Sequence, residues 1–272
     1  MKYNMIIGKL SSNFYSAMIE AVNNDSGKIE KKCTISLSIE KTLESPIFVY
    51  YKLENFFSNH REFVKSKLYP QLRGESVSDT SNCDNMKTYK DLFGEDDENM
   101  RSFTGQPLNP KDLMDPCGLI ARSFFNDTFA LLKGNESIKI NETGIVYSAD
   151  QKYMFKRNEN PNNQWIDVEN EHFMVWMNME LFSTFLKKWG HIDKDLEAGT
   201  YDIEIENNWV NNDWDTKKYF VLVSPGKFGN KTFIGYALII GATCSSITII
   251  IIILCGWGKL KKFEPEKLNW DE

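Results

Sequence analysis

Three histidines, His60, His172 and His191, are the whole imidazole supply of this 272-residue chain. Only His172 has company suited to acid/base or metal chemistry, with Glu171 beside it and Asp167 just upstream. A zinc hydrolase needs a second histidine one helical turn away on the same face, and the chain has none there, so His172 reads as a hydrogen-bonding residue. His60 follows a helical spacing beside Arg61 and reads as structural. His191 comes after Gly190 at an expected helix end, where an imidazole suits the C-terminal dipole. There is no Gly-x-Ser-x-Gly elbow, no Gly-x-x-x-x-Gly-Lys-Ser/Thr phosphate loop and no Gly-x-Gly-x-x-Gly fingerprint. No residue is assigned a catalytic role, no metal ligand set is found and no cofactor is implied. An ectoenzyme using His172 and Glu171 is the weakest reading.

The cysteines carry a different chemistry. Cys244 and Cys255 lie in a strongly apolar run and act as small apolar residues. Cys33, Cys83 and Cys117 lie outside it, without the Cys-x-x-Cys or Cys/His spacing of a zinc site. In an oxidising compartment an odd number leaves one unpaired, or paired with something outside this sequence. Asn-x-Ser/Thr acceptors occur at Asn24, Asn126, Asn135, Asn141 and Asn230. Asn126, Asn135 and Asn141 cluster in a polar, Gly-containing stretch of the kind that presents acceptor loops, and these three are the expected glycan carriers. Asn230 lies too close to the apolar run for good use. The aromatics Tyr50, Tyr51, Trp165, Trp176, Trp189, Trp209 and Trp214 could line a sugar or lipid site, but such residues more often fill cores and rims.

The elements that must position these groups come from hydropathy patterning. From Phe233 to Cys255 no charged residue occurs, and at 1.5 Å per residue this run spans about 34 Å, enough to cross a hydrocarbon core of about 30 Å. Lys259, Lys261 and Lys262 follow it, which places the short tail in the cytosol and the preceding residues in the lumen or outside. Removing the tail's four lysines and four acids from the 32 basic and 38 acidic residues leaves 28 and 34, so the net charge of −6 sits on the extramembrane part. An acidic face of that kind argues against a nucleic-acid partner. Residues 1–32 hold no apolar run of signal-peptide length, so this segment reads as divergent or truncated. The organisation expected is an N-terminal segment over 1–32, an ectodomain over 33–232, a transmembrane helix over 233–255 and a cytosolic tail over 256–272.

Within the ectodomain, Cys33–Ile39 and Thr200–Glu206 alternate apolar and polar residues as half-buried strands do, and Pro46–Leu53 and Tyr219–Val223 are β-rich apolar runs. Phe56, Phe57, His60, Phe63, Val64 and Lys67 follow helical spacing. So do Leu181, Phe182, Phe185, Leu186 and Trp189, with Gly190 as the helix stop. Residues 73–115 are polar and turn-rich, and a stretch that long is normally pinned, for which Cys83 to Cys117 is the available staple. The fold class expected is a β-rich α+β ectodomain, antiparallel sheets with short helices, plus a C-terminal transmembrane helix. In that helix Ala237, Gly241, Ser245 and Thr248 form a stripe of small residues that suits close packing on a partner helix.

Five ordered blocks then resemble one family. They are Tyr50-Tyr51-x-Leu53-x-Asn55-Phe56-Phe57-x-Asn59-His60-Arg61-x-Phe63-Val64-Lys65-Ser66 with Gln71-Leu72-x-Gly74; Pro116-Cys117-Gly118-Leu119-Ile120-Ala121-x-Ser123-Phe124-Phe125-Asn126-Asp127-Thr128; Trp165-x-Asp167 with Asn170-Glu171-His172-Phe173-x-Val175-Trp176-Met177; Leu196-x-x-Gly199-x-Tyr201-x-Ile203-x-Ile205-x-Asn207-Asn208; and Phe233-Ile234-Gly235-Tyr236-Ala237. Residues 33–237 thus resemble the ligand-effect modulator (cell division control protein 50) family, the non-catalytic β-subunits of phospholipid-flippase ATPases. The resemblance implies a β-rich glycosylated ectodomain over the extracytoplasmic loops of a phospholipid-transporting P-type ATPase catalytic subunit, in contact with membrane lipid. It implies an escort out of the endoplasmic reticulum and support of phospholipid translocation, in the endoplasmic reticulum, Golgi and plasma membrane. It also implies a Cys83–Cys117 disulfide and glycans at Asn126 and Asn135. Two features depart from the family pattern: the first of its two membrane helices is absent, as are the cysteines that precede the Cys33 position, which favours a truncated start. Phe228-Gly229-Asn230-Lys231 also replaces the usual Gly-Gly-Lys-Asn. The alternative reading is a single-pass adhesion or receptor ectodomain that binds an extracellular ligand.

Overall fold

The computed structural model describes residues 15–21, 32–77, 79–83, 85–94, 100–209, 216–225 and 231–260. Period-two patterning builds its sheets. Along β2 (Lys32–Ile39), Ile35, Leu37 and Ile39 are buried while Thr34, Ser36 and Ser38 face out. With β1 (Tyr15–Ala21), β3 (Ile47–Glu54), β4 (Thr128–Lys133), β5 (Glu136–Ile138), β6 (Phe185–Ile192), β7 (Gly199–Glu206) and β8 (Lys217–Pro225), it completes two four-stranded antiparallel sheets. One has the order β1-β8-β3-β6 and the other β2-β7-β4-β5.

Register places the buried positions together. Ile35 lies opposite Ile203 and Leu37 opposite Tyr201, so one face of β2 and β7 is apolar. The two sheets meet through aromatic side chains: Phe129 of β4 contacts Phe220 of β8 and Trp189 of β6, each at a ring-centroid separation of 5.1 Å. Such pairs add to the area they bury, by about 1 kcal/mol each. Strand β8 is buried on both faces. Phe220 and Leu222 join the intersheet core, while Tyr219, Val221 and Val223 form a second cluster with Tyr50 and Leu186.

Short helices fill the connections: α1 (Arg61–Lys65), α2 (Tyr69–Leu72), α3 (Tyr89–Phe93), α4 (Leu119–Arg122), α5 (Ser148–Tyr153) and α6 (Glu171–Met177). A satellite core of Leu68, Cys83, Met86, Tyr89, Met100, Met114 and Cys117 gathers the turn-rich connection between β3 and β4 into a lobe. Helix α7 (Lys231–Leu260) contains a 21-residue stretch, Gly235–Cys255, long and apolar enough to span a bilayer. The β-rich α+β class with one C-terminal apolar helix is therefore the observed architecture.

One element differs from the sequence expectation. The spacing of Leu181, Phe182, Phe185, Leu186 and Trp189 suggested a helix, but Phe185–Ile192 is a strand paired with β3, and Leu181 and Phe182 lie in the loop before it. Both faces of β6 are useful to the fold: Phe185 and Trp189 enter the main core and Leu186 packs with the second cluster, so the period-two signal is blurred. Gly190 is accordingly no helix stop. A Cβ there would come 2.7 Å from Ile140 Cγ2 and 2.9 Å from the Asn141 carbonyl oxygen, so the bare backbone is what lets Asn141 bridge to His191. His191 consequently sits in a strand and not at a helix terminus. The helical spacing over Phe56–Lys67 contracts to Arg61–Lys65, with exposed His60 as the residue preceding it.

Candidate functional site

The chemistry of the lobe is that of crosslinking. Cys83 and Cys117 are bonded, with Cα atoms 5.9 Å apart and both side chains buried. The Gln71 amide clamps the same place: its Nε2 donates to the Met114 carbonyl and its Oε1 accepts the Cys117 amide, both at 2.9 Å. Gly118 crosses the backbone of Ser66 so closely that a Cβ would lie 2.1 Å from the Ser66 carbonyl oxygen, and its φ of 106° is one that L side chains rarely adopt. Ser66 Oγ accepts the Leu119 amide at 2.8 Å and Trp165 Nε1 donates to the Pro116 carbonyl at 2.8 Å. The block from Pro116 to Ala121 is thus a junction at which α1, α4, the lobe and the Trp165 segment meet. Beside it, burial pushes the Asp115 carboxyl up to about 6, against the opposing pull of the Asn158 and Gln164 amides.

The block from Tyr50 to Ser66 supplies a packed turn. Phe56 is buried at the centre of an aromatic cluster, with ring centroids 5.5 Å from Phe63, 5.5 Å from Trp176, 6.0 Å from Phe185 and 5.7 Å from Trp209. Its amide donates to the Ser183 carbonyl, Ser58 Oγ to the Glu180 carbonyl, and Asn59 Nδ2 to the Leu181 carbonyl. These bonds fix the loop before β6 and present Leu181 and Phe182, 78% and 74% exposed, beside exposed Phe57. A separate groove of about 550 Å³ is lined by residues of α1, α2 and α5, among them Leu68, Leu72, Met154 and Met177 with Lys65 and Lys67. Of the singled-out aromatics, Tyr51, Trp176, Trp189 and Trp209 are buried in the main core, Trp165 packs against both clusters, Tyr50 against the second face of β8, and Trp214 lies outside the described residues.

His172, Glu171 and Asp167 do not converge. His172 Nε2 lies 2.9 Å from Glu142 Oε2, Glu171 Oε2 accepts the Ile145 amide at 2.8 Å, and Asp167 takes a two-pronged contact from Arg157 at 2.9 and 2.6 Å. That guanidinium holds the Asp167 carboxyl below its usual range. Each group is committed to a different loop contact.

The acceptor asparagines lie on one continuous stretch. Asn126 is exposed two residues before β4, Asn135 is exposed in the two-residue turn between β4 and β5, and Asn141 is half-buried, its Oδ1 accepting the Thr143 amide and hydroxyl at 3.2 and 2.8 Å. Asn24 and Asn230 lie outside the described residues. On α7, Ala237, Gly241, Ser245 and Thr248 are all exposed, and the two hydroxyls are turned inward, Ser245 Oγ to the Gly241 carbonyl at 2.8 Å and Thr248 Oγ1 to the Ser245 carbonyl at 2.8 Å. That stripe therefore offers a surface with its polar atoms already satisfied.

Two buried cations escaped sequence reasoning. Lys187 Nζ donates to the Val175 and Asn178 carbonyls at the end of α6 and pairs with Glu180 at 2.9 Å. Lys218 Nζ pairs with Asp127, where burial pushes the ammonium down and the Asp127 carboxylate pulls it back up. The only signal for Lys218 was its phase, since it shares a strand face with Phe220 and Leu222.

Comparison with known proteins bears on this arrangement. A family model described as the LEM3 (ligand-effect modulator 3) family / CDC50 family matches residues 3–261. The chain is 33% identical over 262 residues to ALA-interacting subunit 3 of Arabidopsis thaliana, a match covering 90% of this chain and 70% of that protein. It is 27% identical over 266 residues to cell cycle control protein 50A of Bos taurus, covering 82% and 67% of the two chains. It is 26% identical over 284 residues to the phospholipid-transporting ATPase accessory subunit LEM3 of Saccharomyces cerevisiae (strain ATCC 204508 / S288c), covering 93% and 65%.

Proposed function

The chain belongs to the LEM3/CDC50 family, and from that premise we propose that it is a non-catalytic accessory subunit of a phospholipid-transporting P-type ATPase. The observation that carries this reading is the match of the family model across 3–261, joining the two-sheet ectodomain to the apolar helix α7 in one unit. Its finer content is ours: the subunit assists exit of the ATPase from the endoplasmic reticulum and supports phospholipid translocation, with the acidic ectodomain lumenal or extracellular and the tail cytosolic. The working division is 1–32, 33–232, 233–255 and 256–272. Asn126, Asn135 and Asn141 carry glycans, and the Ala237, Gly241, Ser245 and Thr248 stripe packs on a helix of the catalytic subunit. Close approach along small residues is what permits such packing in a membrane.

The test is affinity purification of the full chain in mild detergent. A P-type ATPase should co-purify, and changing Ala237 and Gly241 to Leu should reduce its recovery. If a soluble extracellular ligand is captured in place of any ATPase, the adhesion or receptor reading replaces this one. Undiminished ATPase recovery with the two leucines removes the stripe while leaving the subunit role intact.

A further inference from the structure

Folding treats the three acceptor triplets differently. In Asn126-Asp127-Thr128 the acceptor is exposed, but Asp127 beside it is buried. Asp127 Oδ1 accepts the Asn208 and Trp209 amides at 2.7 and 2.6 Å, and its Oδ2 pairs with Lys218 Nζ. Thr128 opens β4 opposite Glu206, with its Oγ1 3.4 Å from Glu206 Oε2. In Asn141-Glu142-Thr143 the Asn141 backbone bonds that of His191 in both directions, at 2.8 and 2.9 Å. Glu142 Oε2 lies 2.9 Å from His172 Nε2, and the Thr143 hydroxyl donates to Asn141 Oδ1 at 2.8 Å. Asn135-Glu136-Ser137 is another matter. All three residues are exposed, at the hairpin tip and on β5, a three-residue strand at the edge of its sheet. Its ion pair, Glu136 with Lys194 at 2.9 Å, joins two side chains more than half exposed and so holds it weakly.

Glycan transfer needs more than a reachable asparagine. Asn Nδ2 attacks the anomeric carbon of a polyprenyl-diphosphate-linked oligosaccharide, the carbon–oxygen bond to diphosphate breaks, the diphosphate leaves and the nitrogen sheds one proton. The transferase also reads the hydroxyl two residues on, so the whole triplet must enter a separate active site as a free loop. For Asn126 that means pulling Asp127 out of its buried ion pair and unpairing the start of β4, where Phe129 packs between the sheets. For Asn141 it means parting from His191 and His172. For Asn135 the turn and one end of an edge strand suffice. Openings of that last kind lie at the low end of the free-energy range, whereas those that reach a core approach the global stability. The product itself strains neither guarded site. Asn126 is exposed, and Asn141 Oδ1 keeps its Thr143 contacts because the sugar replaces a hydrogen on Nδ2.

We propose that, of these three acceptors, Asn135 alone is open to glycan transfer on the folded ectodomain, and that Asn126 and Asn141 are modified only before β4 docks on β7 and Asn141 on β6. This order rests on the reading of all three as glycan carriers. Occupancy at Asn126 then records how long the chain stays unpaired: slower docking of β4 raises it, and occupancy at Asn135 does not respond.

The test uses full-length chains that keep one triplet each, with the other acceptors, Asn24 and Asn230 included, changed to Gln. They are made without glycans, solubilised in detergent and given a purified oligosaccharyltransferase with a lipid-linked oligosaccharide. Peptides spanning residues 121–131, 130–140 and 136–146 supply each triplet's intrinsic rate, by which the chain's rate is divided. The normalised rate at Asn126 should be roughly a hundredfold below that at Asn135, since freeing Asp127 parts two buried charges. At Asn141 it should be about tenfold below. Lys218→Met, which unseals Asp127, should raise the Asn126 rate about tenfold and leave the Asn141 rate unchanged. Equal normalised rates at Asn126 and Asn135 overturn the proposal, as does an Asn135 rate as low as that of Asn126. Should K218M fail to fold, the comparison among the chains with Lys218 intact still decides. Chains made in glycosylating cells that carry no sugar at any of the three sites overturn the carrier reading and the order with it, an outcome distinct from equal rates in vitro.

Discussion

Asp127 and Lys218, 91 residues apart in the chain, meet as an ion pair whose side chains are 0% and 1% exposed. The pair does more than neutralise itself. Asp127 Oδ1 accepts the amides of Asn208 and Trp209 at 2.7 and 2.6 Å, and Lys218 Nζ reaches Asn207 Oδ1 and the Trp209 carbonyl. It thereby joins the residue before β4, the start of β8 and the segment after β7. Two charges buried so fully cost desolvation, which only this complete set of partners offsets.

Replacing Lys218 by Met leaves Asp127 charged, buried and unpaired. The expected loss is about 3–5 kcal/mol, read as a fall in Tm of roughly 10 °C for a domain of this size. Asp127→Asn combined with Lys218→Met should recover part of it, because the uncompensated charge is gone. A single-variant Tm within 2 °C of wild type, measured in detergent by loss of tryptophan signal, would contradict the assignment.

Gly118→Ala adds a Cβ where the Ser66 carbonyl oxygen already sits, at a φ of 106°. A cost of about 3 kcal/mol or more is expected from strain and displacement together. Gly105→Ala is the control: its φ of 87° is equally unusual, yet nothing lies within 4 Å of the added atom. That variant should lose only about 1 kcal/mol. Equal losses in thermal unfolding would mean that the crossing at Ser66 carries no special weight.

Asn126, Asn135 and Asn141, each changed to Gln, should each remove one endoglycosidase-sensitive step of gel mobility. Because Asn126 and Asn135 are exposed, their changes should leave stability within about 0.5 kcal/mol, whereas Asn141→Gln also gives up the two Thr143 contacts and should cost about 1 kcal/mol. A triple variant that still shifts on glycosidase treatment would move the acceptor to Asn24 or Asn230.

Strands with one wet face were legible from the residues alone. Ile35, Leu37 and Ile39 against Thr34, Ser36 and Ser38 could be read only one way, and so could Tyr201, Ile203 and Ile205. Strand β6 was not, because its inward face carries Lys187 between Phe185 and Trp189 while half-buried Leu186 lies on the other, and Phe185, Leu186 and Trp189 happen to satisfy helical spacing. The buried charges were hidden for another reason. Lys218 follows Lys217 at a strand start and Asp127 sits inside an acceptor triplet, both settings where a charge is ordinarily solvated. What buries them is chain crossing over long sequence separations, which local pattern does not encode. The face carrying Leu181 and Phe182 was likewise unreadable, since its exposure depends on hydrogen bonds from Phe56, Ser58 and Asn59.

The pairing of β8 with both β1 and β3 has a mechanical consequence. Pro225, the last residue of β8, precedes by six positions the start of α7, and Tyr15 of β1 lies opposite Pro225. A pull along β8 from its Pro225 end loads two hydrogen-bond ladders in shear, so many bonds share the strain instead of parting one at a time. At the far end of the same strand stands Lys218, moored to Asp127. Strand β8 is thus braced along its whole length, so a load on either end is spread over two neighbouring strands and the buried ion pair.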